Sequence, residues 1–197
     1  TTAAVDGANA FSQPANNLSF EQRLDFSVGN SFFRNPWVTA PASTAARDGL
    51  GPLFNSTSCQ GCHIKDGRGH PPRPDQVQAI SLLMRLSLPE TQERLRDPHL
   101  GVVPEPSYGD QLQDFGILGI EPEARIQWSY IEREVAFGTA ETFKLREPQF
   151  ELVDLAYGEM HPDTLFSPRV APAMIGLTIW PLMIELVISP ASSGSSW

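Results

Sequence analysis

Cys59-Gln60-Gly61-Cys62-His63 contains both cysteines of the chain and one of its four histidines. Two thiols three positions apart, followed at once by an imidazole, form the attachment pattern of a c-type haem. The spacing follows from the chemistry. Each thiol adds across one vinyl group of the porphyrin, and the next residue carries an imidazole to the iron. Axial ligation is then the protein's main lever on what that iron does. Three other readings use the same residues. A zinc site would draw on Cys59, Cys62, His63 and His70, although structural zinc ordinarily takes a second well-spaced ligand pair. A dithiol redox pair belongs at the start of a helix in a strand–helix–strand setting, whereas glycine-rich sequence follows Cys62. A Cys59–Cys62 disulfide would close a very short loop and constrain little. The leading reading is one covalent haem c, gripped by Cys59, Cys62 and His63, with His63 as iron ligand.

Upstream of the motif, Gly49-Leu50-Gly51-Pro52-Leu53-Phe54 reads as a short helix capped by Ser43 or Thr44, and Trp37 as a buried aromatic. Downstream, Pro71, Pro72 and Pro74 mark an extended loop. A backbone carbonyl in that loop is the expected acceptor for the second nitrogen of His63, a bond that orients a ligating imidazole and raises its basicity. Arg68 and Arg73 are candidates to pair with haem propionates, because a guanidinium fork matches a carboxylate. Plain solvated loop charges are the alternative. Earlier in the chain, Ser19 with Gln22 has capping-box spacing. Phe20, Leu24, Val28 and Phe32 recur every four residues, so a helix with that stripe against the core is expected, ended by Pro36.

Val77 to Leu88 is too densely apolar to assign helix or strand by period. Residues 101–123 are loop-rich. From Arg125 the pattern alternates, and with Glu141 to Leu145 and Phe150 to Val153 it predicts an antiparallel β-meander of about three strands turning near Gly138. Glu132 and Glu134 read as solvated strand charges. Residues 173–188 are apolar but include Pro181 and Glu185, and a bilayer-spanning helix needs about 20 apolar residues. The expected organisation is an arm at 1–18, a cytochrome c-like domain at 19–188 with a β insertion at about 123–154, and an unstructured tail at 189–197. The expected fold class is mainly α, a cytochrome c-like haem-binding fold with an inserted small antiparallel β-meander.

The chain has 197 residues and a formal charge of −9. That balance excludes a nucleic-acid backbone as partner, which requires Lys and Arg. It favours a basic redox partner drawn in by long-range attraction. With both cysteines in the motif, no disulfide framework is available. The chain opens Thr1-Thr2-Ala3 without a charged and apolar leader, and nothing in it reads as a transmembrane segment. Covalent haem attachment in bacteria takes place outside the cytoplasm, so a periplasmic or otherwise exported location is expected.

Several stretches together resemble the bacterial di-haem oxidoreductases, peroxidase-like proteins also called thiol oxidoreductases. These are distant relatives of the di-haem cytochrome c peroxidases and MauG-type enzymes. The stretches are Trp37-Val38-Thr39-Ala40-Pro41, Ala46-Arg47-Asp48-Gly49-Leu50-Gly51-Pro52-Leu53-Phe54-Asn55 and Cys59 through Pro72. Tyr108-Gly109-Asp110-Gln111-Leu112-Gln113 and Ser167-Pro168-Arg169-Val170-Ala171-Pro172 continue them. The resemblance covers roughly residues 10–177. It implies a haem that exchanges electrons with a second haem or a redox partner protein, with peroxide as a possible substrate. The family pattern carries a second CxxCH, so this chain corresponds to the N-terminal haem domain. A stand-alone mono-haem electron carrier is the alternative, and a zinc or dithiol module a weaker one. The choice turns on the far side of the iron. Met174 is the first candidate there, ahead of Met84, Met160, His70, His99 and His161. Glu105, Glu121 and Glu159 are candidate general acids, and none stands out.

Overall fold

A computed structural model describes residues 5–138 and 141–175. Strands dominate it, which corrects the expectation of a mainly α fold. The helical elements are α1 (Phe20–Arg34), the single turn α2 (Cys59–Cys62) and two 3-10 turns, against eight strands. All four sheets are two-stranded, pairing β1 (Val38–Thr39) with β2 (Asp48–Leu50), β3 (Leu53–Phe54) with β5 (Phe115–Gly116), β4 (Leu82–Ser87) with β8 (Leu165–Val170), and β6 (Arg125–Phe137) with β7 (Glu141–Val153). The chain divides into two compact units.

The first unit takes Thr1–Gly49, Ser56–Gly69 and Ala171–Trp197. Its helix α1 starts as the spacing predicts. Ser19 Oγ accepts from Gln22 N, and Gln22 Oε1 accepts from Ser19 N. Its buried face is different, however. Phe26, Gly29 and Phe33 turn inward, while Phe20, Leu24 and Val28 stand 79%, 52% and 44% exposed. Phe26, Gly29 and Phe33 share one face at i−3, i and i+4, and that face sets Phe33 beside the His63 ring. The helix expected ahead of the cysteines does not form. Gly49, Gly51 and Pro52 are poor helix formers, and Pro52 lacks the N–H a helix interior uses. Short strands β2 and β3 satisfy this backbone instead.

The second unit takes Leu50–Asn55 and His70–Val170. Its core gathers Ala79, Leu82, Met84, Leu86, Tyr108, Leu112, Ala124 and Ile126. Burial alternates along β4, with Leu82, Met84 and Leu86 inward, so the dense apolar run resolves as a strand. Strand β8 lies antiparallel to it, Leu82 opposite Val170 and Ser87 opposite Leu165. The expected three-strand meander is a two-strand hairpin with arms of 13 residues, from Arg125 opposite Val153 to Phe137 opposite Glu141. The runs at 141–145 and 150–153 belong to one strand because Pro148 is accommodated opposite Tyr130. Each strand of a two-stranded ribbon keeps an open edge, where a missing N–H costs little. Ile126 is buried, and Trp128, Phe150 and Leu152 pack on the core. Trp128 Nε1 donates to Arg73 O at 3.1 Å and Tyr130 Oη to Pro72 O, which pins the base of the hairpin. Glu132 and Glu134 are exposed as expected, and Glu132 pairs with Lys144 at 3.6 Å. Among the described residues no helix is long and apolar enough to cross a membrane. The expected tail at 189–197, and residues 176–188 of the preceding apolar run, lie outside the described residues.

Candidate functional site around Cys59, Cys62 and His63

The approach to the cysteines is set by backbone bonds. Trp37 N donates to Thr57 O at 2.8 Å, and the half-buried Trp37 ring stacks with Phe32 at 6.3 Å. Ser58 then caps α2, its Oγ accepting from Gly61 N at 3.1 Å. One helical turn follows, closed by His63 N to Cys59 O at 2.9 Å. That turn puts Cys59 and Cys62 on one face at i and i+3. Gly61 is required here, because a Cβ on it would run into Ser56 Oγ, which is itself bonded to Ser58 O at 2.9 Å.

His63 leaves the helix at φ −101°, ψ 70°. Its Nδ1 lies 2.7 Å from Pro172 O. A carbonyl can only accept, so Nδ1 carries the proton and the Nε2 lone pair is left available to a metal. The carbonyl expected from residues 71–74 is thus supplied from 109 positions away. Residues 171–174 are stitched to the turn beyond His63, Gly69 N donating to Ala171 O at 2.9 Å and Met174 N to Asp66 O at 2.8 Å. No local spacing announces this clasp. The only hint is the Pro-flanked stretch at 168–172. Phe33, 2% exposed, places its ring 6.4 Å from the imidazole and shields it on one side.

Neither cysteine is in a disulfide. Although Cys59 is exposed as a residue, partial enclosure desolvates its thiol and pushes its pKa up. A reactive dithiol requires the opposite shift. Among the described residues no three His, Cys, Asp or Glu side chains are grouped to hold a metal ion. Two sulfurs on one turn and an imidazole that keeps its Nε2 lone pair are a donor set that fits a covalently held haem.

Other expected residues are placed less tightly. Arg68 is exposed in the first unit. Arg73 is in the second, paired with Asp75 at 3.7 Å on the surface. Among the described residues of the first unit, Met174 and His63 are the only methionine and histidine. Met84 is core at 1% exposure, Met160 packs against the same core, and His70 and His99 are exposed. Glu105 is buried, but its carboxylate is engaged by Ser107 N, Tyr108 N and His161 N at 2.6 to 2.9 Å. Glu121 and Glu159 are exposed. Asp66, which sequence reasoning missed, is 2% exposed in a left-handed turn (φ 61°), and its Oδ2 has no partner.

The stretches around the cysteines and at Tyr108 to Gln113 and Ser167 to Pro172 thus build the grip, the core and the clasp. No curated protein and no solved structure matches the chain. A family model described as "Di-haem oxidoreductase, putative peroxidase" matches residues 1–171. With that match spanning most of its length, the chain belongs to the di-haem oxidoreductase family.

Proposed function

We propose that this chain carries one covalent haem c and works as an electron-transferring haem module of a peroxidase-like oxidoreductase. The observation that carries the reading is the bond from His63 Nδ1 to Pro172 O, made beside two cysteines on a single turn, neither in a disulfide. Cys59 and Cys62 would form the two thioethers, and His63 would ligate through Nε2. The haem would supply one-electron iron chemistry, with peroxide the oxidant and a second haem or a basic redox protein the electron source. The protein's own part is orientation. The Pro172 carbonyl holds the imidazole in one tautomer and makes Nε2 more basic, which stabilises ferric iron. Phe33 excludes water from one side of the ring. Arg68 remains the propionate partner we favour, since Arg73 is already engaged.

Met174 is the first candidate for a second iron ligand. Its backbone is bonded to Asp66 O, two residues past the carbonyl on the Nδ1 side of His63. An iron held at Nε2 would be poorly served from that side, and the reading we favour is an open iron of the peroxidase kind over a closed electron carrier. Export to the periplasm is part of the same reading, because the thioethers are made there.

Expressed with an exported haem-attachment system, the protein should retain haem through acid–acetone extraction and give a pyridine haemochrome of one c-type haem per chain. The ferric spectrum should be high-spin. Loss of all haem on extraction sinks the proposal, and a low-spin ferric spectrum shifts it to the stand-alone electron carrier.

A further inference from the structure

The unit that carries the cysteines also holds a pocket of about 220 Å³ that none of Cys59, Cys62 and His63 lines. Its wall takes Asn9 from the lead, Asn30 and Arg34 from one side of α1, Gln60 from α2 and Lys65 from the turn after His63. The rest of the wall is neutral and polar, and no carboxylate contributes to it. That is unusual for this chain, which has 23 acidic residues against 14 basic ones. Neither Arg34 nor Lys65 makes an ion pair among the described residues. The side-chain amides of Asn9, Asn30 and Gln60 make no hydrogen bond there either, and Asn30 Oδ1 is buried without a partner. Lys65 is held at φ 53°, ψ 46°, a left-handed backbone state that is strained for a non-glycine residue.

We propose that this pocket binds a small oxyanion of the phosphate class, between Arg34 and Lys65. Arg34 offers a planar fork to two oxygens and Lys65 a compact point charge. The amides of Asn9 and Gln60 add neutral donors. Asn30, one turn before Arg34, completes the neutral part of the wall. This inference does not depend on the haem reading. Gln60 lies between the two cysteines and Lys65 two residues after His63, so occupancy would tie α1 to both sides of the haem-binding turn.

Titration calorimetry on the full chain with inorganic phosphate, sulfate and glycerol phosphate tests it. One phosphate per chain is expected, with sulfate and glycerol phosphate competing for the same site. Arg34→Gln and Lys65→Gln should each weaken phosphate tenfold or more, with circular dichroism and Tm unchanged. Asn30→Asp, of nearly the same shape, should abolish binding by placing a negative charge at the buried acceptor. If Arg34→Gln misfolds, Lys65→Gln carries the test, because that side chain is on an exposed turn. No phosphate binding, or binding indifferent to the Lys65 and Asn30 substitutions, overturns the proposal.

Discussion

Asp114 Oδ1 accepts from Asn55 Nδ2 at 2.8 Å, yet burial dominates and pushes the carboxyl up to about 6 from an ordinary 3.8. Burial likewise raises Glu123, against the donation from Gln113 N that favours its charged form. A carboxyl whose folded pKa is raised binds its proton more tightly in the native state. The contribution of Asp114 to stability is thus greatest below about pH 4, falls as pH rises towards 6, and is level above that. The shift at Asp114 corresponds to roughly 2–3 kcal/mol before discounting for its partial exposure. Asp114→Asn keeps the acceptor for Asn55 and removes the buried charge. Urea unfolding should show it about 1–2 kcal/mol more stable than the parent at pH 7, and no more stable at pH 3. Gly61 offers a second test. Gly61→Ala must displace Ser56 Oγ from its bond to Ser58 O, so a loss of about 1–2 kcal/mol is expected. The fraction of chains carrying covalent haem should fall with it, read from the ratio of haem to protein absorbance.

Helix α1 presents two candidate faces, and only one is used. Phe33 is 2% exposed and beside His63, whereas Leu24, on the four-residue stripe, is 52% exposed. Phe33→Ala should therefore cost about 3–5 kcal/mol, and Leu24→Ala no more than about 0.5 kcal/mol. Equal costs in thermal unfolding would restore the stripe to the core. The capping box is a separate contribution of the same helix. Ser19→Ala should cost about 1 kcal/mol, without altering the haem spectrum. In the second unit the β-hairpin and β4 share one core, while β8, exposed along its length, pairs with β4. Alternation was readable in the hairpin because each residue of Arg125 to Tyr130 changes face. It was not readable in β4, where Leu83 and Arg85 on the outer face are flanked by so many leucines that no period emerges.

The chain as a whole carries −9. Attraction between such a surface and a cationic redox partner reaches only about 10 Å at 0.1 M salt. Electron transfer from a basic cytochrome should therefore slow about tenfold or more between 10 and 200 mM salt, measured by stopped-flow. Transfer from an acidic donor of similar potential should quicken or stay level. A basic donor indifferent to salt would remove charge steering from the account.

The pairing of Cys59 and Cys62 with an adjacent imidazole and the Ser19 box were legible in the residues alone, because each is local chemistry. Two thiols, a neighbouring histidine and a reciprocal cap need only fixed spacings of a few positions. The hairpin was half legible, since its period shows but nothing in it says that Pro148 would be carried through one continuous strand. What could not be read was every pairing between distant segments. The acceptor for His63 Nδ1 comes from Pro172, the partner of β4 comes from Leu165–Val170, and the inward face of α1 is the one that packs Phe33 beside His63. Hydrogen-bonding carbonyls and pleated edges are generic in any sequence. Which of them meet is decided only when the chain buries its apolar surface, and here that burial favoured paired strands where a helical fold was expected.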